Sequence, residues 1–175
     1  MNIPRSNRKR ALIVVDVQES FLDERNRYVV RNILDLLRTE QYDTYVVATF
    51  HAEAGSLWEK QQGWTCPRGP STETVPEIAE VLQTHDPIVV EKETRSVFKG
   101  NVDLARLLHE RNTKEVHVVG TQTNDCVLAT VFDAFDLGFL AYAIEECCEA
   151  ESLELHETAL ALLRAQNMTN NSVMD

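Results

Sequence analysis

The sequence predicts a three-layer α/β fold in which a mostly parallel sheet is covered by helices on both faces. Runs of β-branched and other apolar residues alternate with segments whose apolar residues recur at helical spacing. Strands that alternate with helices of this length indicate βαβ units, which join parallel strands. A length of 175 residues suits one domain with a full core. We therefore expect a single doubly wound domain spanning residues 1–175, with a loose leader at 1–10 and a loose tail at 167–175.

The individual elements follow from these patterns. Five apolar runs predict strands at residues 11–16, 43–49, 87–92, 115–120 and 139–144. Helical spacing predicts helices at residues 28–37, 75–82, 102–111 and 153–165, and another that follows Cys126 and ends near Leu137. Gly138 is expected to terminate that helix. The segment 51–72 shows little periodicity and is predicted to be a long loop.

Charge and cysteine usage limit the classes of function. The formal net charge of -11 argues against a nucleic-acid or anionic-membrane surface, which needs a basic patch. The cysteines, which are Cys66, Cys126, Cys147 and Cys148, match no disulfide framework and no zinc motif. A reducing cytoplasm is the expected location. The apolar run after the basic start is interrupted by Asp16 and is too short for a signal core or a membrane span.

Cys126 has the most informative position in the chain. It follows an apolar run that ends at Gly120 and precedes a helical pattern, so it is expected in the first turn of a helix. Free backbone N–H groups and the positive end of the helix dipole would favour the thiolate there. On position alone, a small buried cysteine that only packs is the more common case.

Two charged residues occupy equivalent positions at other strand ends. Asp16 closes the first apolar run, and Lys92 closes the third. If the strands are parallel, both groups and Cys126 gather at the edge where open α/β sheets bind ligands. The ammonium would lower the pKa of the thiol, and the carboxylate would move its proton. Each charge alone could simply cap a turn, but three such groups at one edge favour a nucleophile site.

Three segments that contain these residues resemble a known family. They are Val-Val-Asp16-Val-Gln18-Glu-Ser-Phe21, Val-Glu-Lys92-Glu-Thr-Arg-Ser96-Val-Phe98 and Gly120-Thr-Gln122-Thr-Asn-Asp-Cys126-Val. In type, order and approximate spacing they resemble the signature blocks of the isochorismatase-like cysteine hydrolases. The later segments Glu145–Ala150 and His156–Leu160 resemble the last strand and helix of that family, so the likeness covers roughly residues 10–165.

The resemblance implies a mechanism and roles for individual residues. Cys126 would attack an amide carbonyl to form a thioester, Asp16 would transfer protons, and Lys92 would hold Asp16 and stabilise the thiolate. The backbone amides of Gln122 and Cys126 would form the oxyanion hole. The family also has a cis peptide that would correspond to Thr121–Gln122. No cofactor is expected.

Four further side chains are candidates for contact with substrate. Gln18 and Phe21 follow Asp16 within the first block, although Phe21 is equally compatible with core packing. Trp58 and Trp64 lie in the long loop, where they would cover a small ligand or else bury against a helix or a neighbouring subunit. Ser96 and Phe98 are interpreted as local support for the block that contains Lys92.

The metal site of nicotinamidases is not expected in this chain. Those enzymes carry Asp-x-His after the second strand and another His downstream, whereas this chain has Thr49-Phe-His51-Ala-Glu53 and no later His before His85. Two candidate ligands without a third make a weak zinc site. We therefore predict no catalytic metal, and nicotinamide is not favoured as the substrate.

Three functions remain open. The first is a cysteine amidohydrolase that acts on a small amide, carbamoyl or ureido compound. The second is an isochorismatase-type vinyl-ether hydrolase, which needs an acid such as Asp16 but not the nucleophile Cys126. The third is a non-catalytic or redox-sensing role, which would not need Asp16 and Lys92. The expected partners are a small-molecule substrate and further copies of the chain, as a homodimer or larger homo-oligomer.

Overall fold

A five-stranded parallel sheet forms the centre of the structure, a computed structural model that describes residues 8–172. Every neighbouring pair in the order β3-β2-β1-β4-β5 is parallel. The predicted fold class is therefore confirmed. The strands are β1 (Lys9–Val15), β2 (Thr44–Phe50), β3 (Ile88–Lys92), β4 (Thr113–Thr121) and β5 (Leu140–Glu149).

Helices cover both faces of this sheet. They are α1 (Tyr28–Thr39), α2 (Leu57–Gln62), α3 (Pro76–Gln83), α4 (Leu104–Glu110), α5 (Leu128–Asp136) and α6 (Leu153–Ala165). Because successive side chains of a strand point to opposite faces, Leu12 and Val14 of β1 pack with α1 and α3. Ala11 and Ile13 pack on the other face with α4, α5 and α6. No helix in the described part of the chain is long and apolar enough to cross a membrane.

The segment predicted as a loop at 51–72 contains the short helix α2, so this part of the prediction is wrong. Six residues are too few to show a helical period. The helix is instead marked by its ends, since the Ser56 hydroxyl accepts a hydrogen bond from the Glu59 N–H at 3.1 Å. At the other end Gly63 adopts a left-handed conformation with φ 80°.

The chain ends are more structured than expected. β1 begins at Lys9, inside the predicted leader, and residues 1–7 lie outside the described residues. In the predicted tail, Met168 is buried in the core and its carbonyl accepts the Ala143 N–H at 2.9 Å. The Asn170 side chain accepts the Glu145 N–H at 2.9 Å. Residues 173–175 of the predicted tail lie outside the described residues.

The strand order determines where a ligand can bind. The order reverses between β1 and β4, which are neighbours in the sheet although far apart in sequence. In open α/β sheets the crevice outside the carboxyl ends of the strands at such a reversal is the usual ligand site. Asp16 directly follows β1, and Cys126 lies five residues after the end of β4. Both residues therefore flank this crevice.

Candidate active site

The structure brings Asp16, Lys92 and Cys126 into contact at the carboxyl edge of the sheet. The Lys92 Nζ donates a hydrogen bond to Asp16 Oδ2 at 2.6 Å and lies 3.4 Å from Cys126 Sγ. The same ammonium donates to the carbonyl of Thr94 at 3.1 Å. All three site side chains are at least nine-tenths buried. The convergence expected from three separate strand ends is thus present in the folded chain.

The backbone of Asp16 is held from both neighbouring strands. Its N–H donates to the carbonyl of Ala48 in β2 at 3.0 Å, and its carbonyl accepts the Thr121 hydroxyl of β4 at 2.7 Å. The residue has φ 50°, a left-handed conformation that aspartate adopts more readily than most residues. These contacts fix the position of the Asp16 backbone at the end of β1, from which the carboxylate extends.

Lys92 reaches Asp16 across the intervening strand. β2 lies between β3 and β1, and the last residue of β2 is Phe50. The Lys92 Nζ passes 5.1 Å from the centroid of the Phe50 ring, a distance at which the ring face attracts a cation. The aromatic ring therefore stabilises an ammonium that burial would otherwise disfavour.

A turn of π-helix, Thr123–Val127, positions Cys126 ahead of α5. The Gln122 carbonyl accepts the N–H of Val127, five residues on, at 3.2 Å. Single π-turns of this kind are rare and occur frequently at functional sites. Upstream, Gly120 has φ 117°, and a Cβ there would overlap the carbonyl oxygen of Val15. Glycine thus lets β4 approach β1 closely at the place where the two strands reach the site.

Burial and neighbouring charges set the protonation states of Asp16 and Lys92. Burial raises the pKa of Asp16 above its ordinary value of 3.8, and the adjacent Lys92 opposes this shift. For Lys92, burial alone would lower the pKa, but the neighbouring Asp16 and Cys126 raise it overall. The ammonium is therefore charged beside the carboxyl group of Asp16.

The expectation of a lowered thiol pKa at Cys126 is wrong for the chain without a ligand. Burial of the side chain raises its pKa well above 9.0, and the negative charge of Asp16 adds to the effect, while Lys92 acts in the opposite direction. Position in the chain revealed the first helical turn but not the depth of burial. The resting group is consequently a thiol with a proton acceptor, Asp16, within hydrogen-bonding range.

A cavity of about 240 Å³ opens in front of Cys126. Four aromatic rings form its walls, with centroids 4.6 Å apart for Phe50 and Trp58 and 5.2 Å apart for Trp58 and Trp64. Phe21 is the fourth ring, 6.2 Å from Phe50. Three of the residues expected near substrate, Phe21, Trp58 and Trp64, are therefore in the cavity wall. The small volume suits a small molecule.

Gln18 does not line this cavity, which corrects its expected position. Its side chain is fully buried and forms two hydrogen bonds with the backbone of Phe50, one donated at 3.1 Å and one accepted at 2.7 Å. It also donates to the Thr72 carbonyl at 2.7 Å. Gln18 thus fixes the end of β2, and with it the Phe50 ring that faces the ligand space.

The two residues expected to form the oxyanion hole lie at the cavity. Gln122 and Cys126, whose amides the family resemblance assigns to that role, both line the cavity. The Thr121–Gln122 peptide bond is cis, as the resemblance implies. In the neighbouring block, the Ser96 hydroxyl accepts the Phe98 N–H at 3.2 Å, and Phe98 packs against the core. Ser96 and Phe98 therefore support the fold locally, as expected.

Several cavity residues were not anticipated from the sequence. Asp125 lines the cavity and forms an ion pair with Arg95, whose guanidinium lies 4.7 Å from the centroid of the Trp58 ring. Glu151, which follows the end of β5, lines the rim. The rule that sites collect strand-end residues would have found Glu151 if the end of β5 had been placed at Glu149 instead of residue 144. Gln62, Thr121 and Asn124 complete the lining.

Comparison with known proteins places the chain in a family. The family model described as the isochorismatase domain matches residues 10–173. The chain belongs to the isochorismatase family. It is therefore a hydrolase of this family, and the resemblance read from its three sequence blocks is confirmed.

Relatives and solved structures in this family share most of the fold. Nicotinamidase 3 of Arabidopsis thaliana is 28% identical over 156 residues, which cover 86% of this chain and 78% of that protein. The crystal structure of the pyrazinamidase of Pyrococcus horikoshii in complex with zinc superposes with a TM-score of 0.75 at 25% identity, covering 90% of this chain and 96% of that one. An isochorismatase-like hydrolase from Alkaliphilus metalliredigens gives a TM-score of 0.76 at 20% identity and covers 92% of each chain.

The residues at the position of the family metal do not fit a metal ion. His51 is buried, and its Nε2 lies 3.1 Å from the Thr49 hydroxyl. Burial and the nearby Arg68 lower the pKa of His51, and the Glu53 carboxylate already accepts the backbone N–H of Arg68 at 3.1 Å. Within residues 8–172 no three His, Cys, Asp or Glu side chains are grouped closely enough to hold a metal. The Arg68 guanidinium, which is paired with Glu91 at 2.7 Å, acts electrostatically on both His51 and Glu53, and its positive charge opposes a cation there.

Proposed function

We propose that the chain is a cysteine amidohydrolase that cleaves the C–N bond of a small amide, carbamoyl or ureido compound without a metal. The observation that supports this best is the ammonium of Lys92, which contacts the Asp16 carboxylate at 2.6 Å and the Cys126 sulfur at 3.4 Å. A nucleophile, a proton carrier and a fixed positive charge are thereby present in one buried cluster. A redox sensor would need only an accessible thiol of low pKa, which this buried Cys126 is not.

The first half of the reaction transfers the acyl group to sulfur. Asp16 removes the proton of the Cys126 thiol as the sulfur attacks the carbonyl carbon, and Lys92 stabilises the negative charge on sulfur. The carbonyl oxygen becomes an oxyanion that accepts hydrogen bonds from the backbone amides of Gln122 and Cys126. The protonated Asp16 then passes its proton to the nitrogen, the C–N bond breaks, and ammonia or an amine leaves with a thioester remaining.

The second half returns the enzyme to its starting state. Asp16, again a carboxylate, takes a proton from a water molecule that attacks the thioester carbonyl. The tetrahedral intermediate expels the sulfur, which regains a proton from Asp16, and the acid product is released. One carboxyl group thus acts as base and acid in both halves, which requires the pKa control that burial and Lys92 provide.

The substrate is proposed to be small because of the cavity and the relatives. A volume of about 240 Å³ is below the range of sites for drug-sized ligands. The similarity to a plant nicotinamidase and to an archaeal pyrazinamidase supports amide hydrolysis as the reaction.

The location and assembly of the protein are proposed on other grounds. The four free cysteines suit a reducing cytoplasm, and a homo-oligomer is proposed by analogy with family members.

The experiment that tests the proposal is ammonia release from a panel of small primary amides, carbamoyl and ureido compounds. We expect turnover of at least one compound, with loss of at least about 10³-fold in kcat for Cys126→Ala because the covalent route is removed. Cys147→Ala is the matched control, since this buried thiol lies in a core cluster away from the cavity. It should keep wild-type activity.

Two results would separate the alternatives. Mass spectrometry of acid-quenched enzyme during turnover should show an acyl adduct on Cys126, as the thioester requires. If the Cys126→Ala variant is as active as the wild type, the nucleophile assignment is wrong. If the folded wild type releases ammonia from no compound of the panel, an acid-catalysed vinyl-ether hydrolysis through Asp16 becomes the better description.

A further inference from the structure

The side chains that line the cavity carry an excess of negative charge. Three acidic residues and no lysine, arginine or histidine line the cavity in the described part of the chain. Asp16 is paired with Lys92, and Asp125 is paired with Arg95. Glu151 forms no ion pair or hydrogen bond with any residue in the range 8–172. Glu151 therefore adds a negative charge to the rim that no ion pair within these residues neutralises.

Arg25 interacts electrostatically with Glu151 but forms its ion pair with another carboxylate. Arg25 lines the adjoining depression with Glu151, but its guanidinium is bound to the Asp23 carboxylate at 2.6 Å. That pair contributes one charge of each sign. Glu151 is exposed and ends the segment before Ser152, the N-cap of α6. A substrate carboxylate entering here would meet only negative or already paired groups.

Two of the aromatic rings that line the cavity with Glu151 have no cation of their own. Lys92 lies over Phe50 and Arg95 lies over Trp58, so these inner rings already attract positive charge within the protein. Phe21 and Trp64 have no Lys or Arg over their faces among the described residues. Their centroids are 6.5 Å apart at an interplanar angle of 77°, and Trp64 is 41% exposed.

We infer that Phe21, Trp64 and Glu151 form a cation subsite at the mouth of the cavity, so that the substrate is an amide whose distal end is cationic. Aromatic faces beside a carboxylate are the usual means by which proteins recognise ammonium groups. Glu151 is the residue that sets this specificity. The inference rests on the proposed amidohydrolase function for the reacting end of the substrate, whereas the binding of the distal end is separable from catalysis.

Three amides of matched size test the subsite. They are 3-(trimethylammonio)propanamide, its uncharged isostere 4,4-dimethylpentanamide, and succinamate, which carries a carboxylate. Binding is measured with Cys126→Ala through intrinsic fluorescence, because Trp58 and Trp64 are the only two tryptophans of the sequence and both line the cavity. Turnover by the wild type is measured separately as ammonia release.

We expect the cationic amide to bind about threefold to tenfold more tightly than its isostere, and succinamate to bind more weakly than either. In the Cys126→Ala background, Glu151→Gln should bring the ratio of cation to isostere close to one, and Glu151→Lys should favour succinamate. The preference should weaken as ionic strength rises, because the rim is exposed. Glu154→Gln is the matched control, since Glu154 is an exposed acid in the first turn of α6 and does not line the cavity. It should leave all three affinities unchanged.

The outcomes separate the subsite from the reaction. Tight binding of the cationic amide without turnover by the wild type would support the subsite and count against the amidohydrolase. Turnover of the three amides at similar efficiency, or an unchanged preference in Glu151→Gln, would overturn the subsite and leave the amidohydrolase standing. Preferred binding of succinamate to the enzyme with Glu151 intact, or binding of none of the three, would also overturn the subsite.

Discussion

At the scale of single residues, the buried carboxyl group of Asp16 determines the expected pH dependence of activity. In the proposed mechanism Asp16 must be a carboxylate to accept the thiol proton, and burial raises its pKa above 3.8. A raised pKa means that protonation begins at higher pH as the solution is acidified. We therefore expect the acid limb of kcat/KM to lie at higher pH than that of an ordinary aspartate.

The Lys92→Met variant is the control for the predicted pKa of Asp16. The ammonium lowers the pKa of Asp16 and so opposes the effect of burial. Lys92→Met should therefore move the protonation of Asp16 to still higher pH. A ¹³C NMR titration of the Asp16 carboxyl group, assigned with Asp16→Asn, follows this shift even if turnover is lost. An Asp16 that titrates at or below 3.8 in the wild type would contradict the prediction.

Gly120 is a second residue with a defined structural requirement. Its φ of 117° and the close approach of the Val15 carbonyl leave no space for a Cβ. We expect Gly120→Ala to reduce the free energy of unfolding by about 2 kcal/mol or more, as the sum of backbone strain and overpacking. Urea unfolding followed by circular dichroism measures this change.

The Gly138→Ala variant separates the two contributions at Gly120, which are backbone strain and overpacking. Gly138 also has a positive φ, 92°, but nothing lies within 4 Å of the Cβ that alanine would add. Gly138→Ala should therefore show backbone strain alone, about 1 kcal/mol. Equal losses in the two variants would mean that the approach of β4 to β1 is not limiting.

At the scale of elements, an ion pair between β5 and α6 contributes folding stability that is lost as the pH becomes acidic. Arg164 donates two hydrogen bonds to the Glu145 carboxylate, one of them at 3.0 Å, and lowers the pKa of Glu145 to about 2. A depressed carboxyl pKa contributes stability above the unfolded value, near 4.5, and loses it as the pH falls towards about 2. We expect Arg164→Gln to cost about 1 kcal/mol at neutral pH, reduced from the value for a buried charged hydrogen bond because Arg164 is partly exposed.

The pH profile of unfolding distinguishes this pair from a surface contact. The cost of Arg164→Gln should shrink between pH 4.5 and about 2 as Glu145 becomes protonated. Arg106→Gln removes an exposed pair with Glu110 on α4 and is the matched control. That variant should change the free energy of unfolding by less than about 0.5 kcal/mol at every pH. A cost for Arg164→Gln that does not vary with pH would rule out the ion pair as its cause.

At the scale of the whole molecule, the parts that the sequence predicts are those with a repeated pattern. Apolar runs and helical periods are long enough to establish the parallel sheet and both helix layers. Parallel strands then place Asp16 and Lys92 at one edge, so two members of the cluster follow from topology alone. Cys126 joins them because it follows another strand of the same sheet.

The features that the sequence does not predict depend on packing between distant segments. Burial raises the pKa of the Cys126 thiol, and that burial comes from contacts that no local pattern records. Gln18 lies beside Phe50 instead of a ligand because its side chain satisfies the end of β2. Met168, which lies in the segment predicted to be a loose tail, packs in the core. Each of these contacts joins residues more than twenty positions apart in the chain.

The cavity is assembled from two kinds of structure with different freedom to change. The reacting cluster stands on strand ends and a helical turn that the sheet fixes, whereas Trp58 and Trp64 come from the segment between β2 and β3. Sequence variation in such connecting segments disturbs the core little. The residues proposed to contact the substrate can therefore change while the proposed catalytic cluster is retained. A library confined to residues 57–65 would then explore new substrates with Asp16, Lys92 and Cys126 unaltered.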